Sequence, residues 1–259
     1  MRTAFFRKRI AVDIQLFFLA AMEINIMKLG MMQPYFYPYL GYWQLMNCVD
    51  EYIIYDDVNY IKNGWINRNR IKVNGSPAYF CINVKKASQN RKINEHEISM
   101  SDSDKECLLT KVKMAYGKAP YFKDVYELFK DTVYCEKTNL AEYLMYSNTK
   151  IAEFMGITTK IYSATELKLD HTNRAQARVI DICRLRGASE YINAIGGEEL
   201  YDKQCFSEVG IKLNFLKMNP DIVYPQGKGS FIPSLSILDV LMFNSKDETQ
   251  ALLKRYSLE

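Results

Sequence analysis

Residues 28–58 read KLGMMQPYFYPYLGYWQLMNCVDEYIIYDDV, and the order of their apolar runs decides the fold. KLGMMQPYF is a first strand running into a loop broken by Pro34 and Pro38, since proline fixes its own backbone and removes a hydrogen-bond donor. GYWQLMNCV carries apolar residues at helical spacing, and EYIIYDDV is an apolar run of strand length that ends on two carboxylates. A strand, a loop with a helix and a second strand in this order make the opening unit of a parallel sheet.

Further along, residues 67–86, NRNRIKVNGSPAYFCINVKK, place two β-prone runs around Asn74-Gly75-Ser76-Pro77, which signals a hairpin. Three helices are expected near residues 102–117, 120–133 and 137–155, the first capped by Asp102 or Ser103. The alternation then resumes. TKIYSATEL is a strand, NRAQARVIDICRLRG a helix ending at Gly187, and SEYINA a strand. Gly196-Gly197 opens a helix GEELYDKQCFSEVG, IKLNFLKM is another strand, and SLSILDVLMFN a last helix. Five strands with helices between most of them predict an α/β fold, a three-layer sandwich around a mostly parallel, Rossmann-like sheet. A helical insertion separates its second and third strands.

With 259 residues, of which 48% are hydrophobic, the chain is long enough for one large domain, expected over residues 27–259. Its 19 Tyr and 13 Phe against 2 Trp mean that many rings carry a hydroxyl, which suits polar ring-shaped ligands. The net charge of +4 is dispersed rather than gathered in a dense basic stripe, so nucleic acid is not an expected partner. The six cysteines form no CxxC pair and the two histidines, His96 and His171, stand apart from them. That pattern predicts no zinc site and reduced thiols, as in a cytoplasmic protein.

Residues 1–26 differ from the rest. Arg2, Arg7, Lys8 and Arg9 precede IAVDIQLFFLAAMEI, which has the charge order of a signal peptide. Asp13 and Gln15 interrupt the apolar run, and no small-x-small cleavage site precedes Met27. The run is also too short and too interrupted to span a bilayer, so no integral membrane segment is expected. The segment reads as a short extension or an early start, with Met27 opening the working chain.

Ligands of open parallel sheets bind beyond the carboxyl ends of the strands. The first strand delivers Gln33 and then the turn from Tyr39 to Tyr42; the second delivers Asp56 and Asp57, followed by Lys62, Asn67, Arg68 and Arg70. The strand SEYINA delivers Asn193 ahead of Gly196 and Gly197. Two adjacent carboxylates serve as a general base or a Mg²⁺ ligand, or simply cap a turn. Alternating Asn and Arg in a strand puts both guanidinium groups on one face, either to clamp a phosphate or carboxylate or to meet water. The glycine pair offers backbone N–H groups to a phosphate, or makes only a tight turn. No P-loop pattern occurs, and the identity of any cofactor is left open.

The stretch MMQPYFYPYLGYWQLMNCVDEYIIYDDVNYIKNGWINRNRIK resembles the signature of the WbqC-like family. KAPYF, RGASEYINAIGGEELYD and FIPSLSILDVLMFNS continue the likeness, which runs from Met27 to Ser245. It implies a bacterial protein of O-antigen or other surface-polysaccharide assembly, and a transferase that adds an acyl or aminoacyl group to a nucleotide-linked amino sugar. On that reading Asp56 or Asp57 takes the amine proton and Arg68 and Arg70 hold the diphosphate. Many relatives carry His where this chain has Met32, and Ser-Gly where it has Asn193-Ala194. Tyr39-Leu40-Gly41-Tyr42 is also similar to the HxGH entry of nucleotidylyl transferases, with both histidines replaced. An ATP- and Mg²⁺-dependent nucleotidyl transferase or ligase, and a non-catalytic binding protein, are the alternatives.

Overall fold

In the computed structural model, residues 26–167, 169, 173 and 175–259 are described. Lys28–Met32 (β1), Glu51–Ile54 (β2), Lys160–Ser163 (β5), Glu190–Ala194 (β6) and Lys212–Met218 (β7) form one parallel sheet, which the antiparallel edge strand Tyr256–Leu258 (β8) completes. The spatial order is β5-β2-β1-β6-β7-β8. Numbered along the chain, the parallel strands therefore lie 3-2-1-4-5, the order of dinucleotide-binding sheets, and the order reverses between β1 and β6.

Alternation along the strands separates two apolar layers. Leu29, Met31, Ile53, Tyr191, Leu213 and Phe215 pack on one side with Val179 and Ile182 of Ala175–Arg186 (α5) and Phe206 of Lys203–Ser207 (α6). Tyr52, Ile54, Ile192 and Leu216 point to the other side, as the two-residue period of a strand requires. There they meet Leu40–Asn47 (α1), Leu140–Met155 (α4), Ile237–Phe243 (α7) and Lys246–Leu252 (α8). Seven of the eight α1 residues, Leu40 to Met46, are buried, and the one polar side chain among them, Gln44, donates to Leu252 O and Arg255 O. Gly30 is needed where Tyr52 crosses it: a Cβ there would lie 3.3 Å from the Tyr52 ring and from Val49.

The insertion between β2 and β5 holds the hairpin Arg68–Val73 (β3) and Ser76–Cys81 (β4), then Asp102–Tyr116 (α2), Phe122–Val133 (α3) and α4. The hairpin turns on Asn74 and Gly75, both at positive φ (49° and 80°), as a two-residue loop matched to strand twist demands. The cap of α2 is Ser101, one residue before the expected Asp102. Its hydroxyl accepts from Asp104 N while the Asp104 carboxylate accepts from Ser101 N, a reciprocal capping box.

Three further expectations on local structure are corrected. The segment 159–167 is strand only to Ser163 and then a 3₁₀ turn over Ala164–Leu167, because Asp56 captures the Thr165 N–H and ends the ladder. The helix expected over 197–210 is instead a 3₁₀ turn, Ile195–Leu200, and the short α6, which Asp202 caps by accepting from Gln204 N. Helix α8 and strand β8 lie beyond the last expected helix. Among the described residues no helix is long and apolar enough to cross a membrane. Of the segment 1–26, residues 1–25 lie outside the described residues.

Candidate functional site at the sheet switch point

β1 pairs with β6 through Gly30 and Ile192, so the carboxyl ends of the two strands emerge side by side where the strand order reverses. Gln33 leaves β1 at this point. Its Oε1 is buried and accepts no hydrogen bond among the described residues. A buried amide oxygen without a donor costs about 1–3 kcal/mol, so this atom marks a position that favours an incoming donor. On the β6 side, the Asn193 side chain accepts from Ala194 N (2.8 Å) and packs on Gly197, where a Cβ would approach Asn193 Nδ2 to 2.6 Å. Gly197 is buried against that amide, whereas Gly196 is exposed with open space where a Cβ would lie.

The loop between β1 and α1 is held from three directions. Phe36 N donates to Trp65 O (3.1 Å), and Asn69 Nδ2 donates to Phe36 O (3.2 Å) and Tyr37 O (2.9 Å). Ser236 Oγ donates to Tyr37 O (2.8 Å), and the Tyr37 hydroxyl meets Thr132 Oγ1 (2.7 Å). These bonds support Tyr37 at φ 47°, a conformation costly for a bulky residue. The Tyr39 ring lies over Gly41, where a Cβ would come within 2.5 Å of it, which accounts for glycine inside the Tyr-Leu-Gly-Tyr turn. Burial, together with the charge Tyr39 would carry, raises the Tyr35 phenol above its ordinary value, and burial alone raises Tyr39. Both are hydroxyl donors at neutral pH, not phenolates.

The two carboxylates after β2 have different fates. Asp56 accepts from Ser163 Oγ (2.6 Å), Thr165 N (3.1 Å) and Thr165 Oγ1 (3.0 Å). It ties the end of β2 to the end of β5, which is the capping reading of this residue. Asp57 is buried in an ion pair with Arg178 of α5, whose guanidinium also lies 5.0 Å from the Tyr55 ring centroid. Among the described residues no group of three His, Cys, Asp or Glu side chains has the arrangement of a metal site.

Tyr42 lies inside the core, not on the site wall. Its hydroxyl accepts from Asn148 Nδ2 (3.5 Å), its ring packs edge-on against Tyr52, and burial drives its phenol far above the ordinary value. The first strand is too short to carry both tyrosines of the turn out beside Gln33, because α1 begins at Leu40 and rotates Tyr42 inward. Asn67 donates to Ile82 O (2.9 Å) and accepts from the Tyr60 hydroxyl (2.8 Å), a tie within the hairpin base.

Arg68 and Arg70 do share one face of β3, yet only one of them is available. Arg68 donates to the carbonyls of Asn63 and Gly64 and stacks 4.5 Å from the Tyr79 ring. Arg70 lies 5.5 Å from the half-exposed Trp65 ring, its Nε is buried without an acceptor, and no ion pair engages it among the described residues. Its backbone carbonyl accepts from Ser236 N and so borders the Tyr37 clamp. Lys62 stands on the exposed loop 61–63 beside this strand.

Sequence reasoning missed Arg178. The signal was an arginine in register with Ile182 on the apolar stripe of a helix, a position where a charge needs a partner. Two thiols are held far from a reactive thiolate: burial pushes the half-buried Cys48 and the buried Cys183 up to about 12.

Comparison with known proteins adds two matches. The model of the WbqC-like protein family matches residues 33–251. An uncharacterized protein of Mycobacterium tuberculosis is 30% identical over 220 residues, covering 84% of this chain and 93% of that protein. No solved structure matches.

Proposed function

From the premise that this chain belongs to the WbqC-like protein family, we propose that it is a transferase of surface-polysaccharide assembly. It moves an acyl or aminoacyl group from an activated acyl donor, whose leaving group departs with the amine proton, to the amine of a nucleotide-linked amino sugar bound across the switch point. The observation that carries the reading is the unpartnered, buried Gln33 Oε1 at the reversal of strand order, beside Asn193 and the open Gly196. In such sheets this crevice is where nucleotide-like ligands lie. Gln33 accepts from a sugar amide or hydroxyl, Tyr35 and Tyr39 present donors, and Arg70 with Trp65 takes the diphosphate. A guanidinium suits that role because it binds oxyanions through two parallel N–H bonds. Asp57, buried in its ion pair with Arg178, is the carboxylate assigned the amine proton.

The test is a thermal-shift panel on the full chain with UDP- and dTDP-linked amino sugars, and with ATP with and without Mg²⁺. A ligand at a hundred times its dissociation constant adds about 2.7 kcal/mol of stability. The expected result is a shift with a sugar nucleotide that Arg70→Ala and Gln33→Ala each reduce. A Mg²⁺-dependent shift with ATP alone would replace this reading by nucleotidyl transfer. The feature behind that second reading is the first turn of α1, which opens on Tyr39 without a side-chain cap. A flat panel would point to a binding protein.

A further inference from the structure

A second cleft, away from the strand ends, collects positive charge from three separated parts of the chain. It has a volume of about 950 Å³ and lies between the β3–β4 turn, the end of α2 and the loop 226–229. Its walls carry Lys72, Lys113, Lys118 and Lys228, and no acidic residue lines it among the described residues. Lys113, Lys118 and Lys228 are exposed, and no salt bridge engages them among the described residues. Lys72 is different: it is 6% exposed, and its Nζ donates to Ser230 O at 2.8 Å. An ammonium has three donors, so this bond leaves two.

The loop opposite has the sequence Gln226-Gly227-Lys228-Gly229-Ser230, with Gly227 and Gly229 at φ 71° and 86°. Both glycines hold backbone that L side chains rarely adopt. The N–H groups of Lys228, Gly229 and Ser230 donate to no acceptor among the described residues, and successive free N–H groups around left-handed glycines form concavities for anions. Gln226 is buried and anchors the loop, donating to Ile232 O and accepting from Ile232 N, both at 2.8 Å. Gly117 has no room for a side chain, since a Cβ would lie 2.7 Å from Lys113 O. Glycine there lets the chain turn directly from Lys113 to Lys118. Two contributions oppose an anion: the buried Asp239 carboxylate near Lys72, and the carboxyl end of α2, worth about half a negative charge. Four lysines outweigh them.

We propose that this cleft binds a phosphate-bearing ligand, with Lys72, Lys113, Lys118, Lys228 and the glycine loop around the phosphoryl oxygens. The site is distinct from the switch point and holds whether or not the transferase reading does. A cleft of this size accommodates a phosphorylated small molecule as readily as a nucleoside diphosphate.

The experiment is calorimetric titration of the full chain with pyrophosphate, then with glycerol phosphate and with UDP to separate the two sources of the phosphoryl group. The variants are Lys113→Ser with Lys228→Ser together, both exposed and safe for folding, Lys72→Met, and Arg70→Ala as a report on the switch point. Charge-assisted hydrogen bonds of this kind make the expected loss about tenfold or more in the double lysine variant. Saturable pyrophosphate binding that the lysine changes weaken and Arg70→Ala spares supports the site. Absence of saturable binding by the wild type overturns it, as does undiminished binding by the double variant. A loss seen only with Arg70→Ala would move the anion to the switch point, and Lys72→Met separates the buried ammonium from the exposed pair.

Discussion

Replacing Asp56 by Ala tests whether this carboxylate holds the sheet together or serves chemistry. The side chain accepts three hydrogen bonds across the gap from β2 to β5: from Ser163 Oγ, Thr165 N and Thr165 Oγ1. Bonds to an ionised acceptor are each worth about 1.5–3 kcal/mol. Their sum would overshoot, because the two hydroxyls can turn to other partners and Thr165 is reached by water. The Thr165 N–H, fixed in the backbone, keeps a second acceptor in Ser163 Oγ at 3.1 Å. The net loss is therefore that of one such bond, about 1.5–3 kcal/mol, and a chain of this size loses about 2–4 °C of Tm per kcal/mol, giving a fall of about 3–12 °C. Asp56→Asn keeps one acceptor oxygen and should lose less than half as much. The assay is urea unfolding of wild type, Asp56→Ala, Ser163→Ala and the double variant, which isolates the pairwise term. Groups in direct contact couple by about 0.5–3 kcal/mol. A stability change below about 0.5 kcal/mol in Asp56→Ala, the size of an ordinary surface substitution, would refute the tie and return Asp56 to the list of acid–base candidates.

Two other outcomes follow from buried charge. Arg178→Met removes the guanidinium from Asp57, and breaking one side of a buried pair costs about 3–5 kcal/mol. Chemical denaturation should show that loss, and Asp57→Asn added to Arg178→Met should recover part of it; no recovery would mean that the pair is not the source. Burial raises the Asp239 carboxyl above its ordinary value, although the Tyr116 and Tyr224 hydroxyls donate to it and Lys72 is near. A carboxyl whose folded pKa exceeds its unfolded one favours the protonated form in the fold. Its contribution is fully present below the unfolded value and is lost as pH rises through the raised one. The stability of wild type relative to Asp239→Asn should therefore decline with rising pH across that window, and melting curves with no such trend would contradict the burial argument.

The alternation of strands and helices, the hairpin turning on Asn74-Gly75 and the insertion between the second and third core strands were all legible in the sequence. Apolar period, strand-length runs and turn chemistry are properties of a few consecutive residues, so local reading reaches them. The same reading put Asp56 and Asp57 just past the second strand, where they are found, and Arg68 and Arg70 on one face of the hairpin strand β3. It could not say what those groups are bonded to. Asp56 meets Ser163 from 107 residues away and Asp57 meets Arg178 from 121 residues away. Arg68 is spent on carbonyls four and five residues back, while Arg70 stacks on Trp65 and its Nε meets no acceptor among the described residues. Tyr42 looked like a partner of Tyr39 until α1 turned it toward Tyr52. Residue type and face are written locally. Whether a polar atom has spare capacity to bind or react depends on which partners the fold brings within about 3 Å of it, and only the tertiary structure decides that.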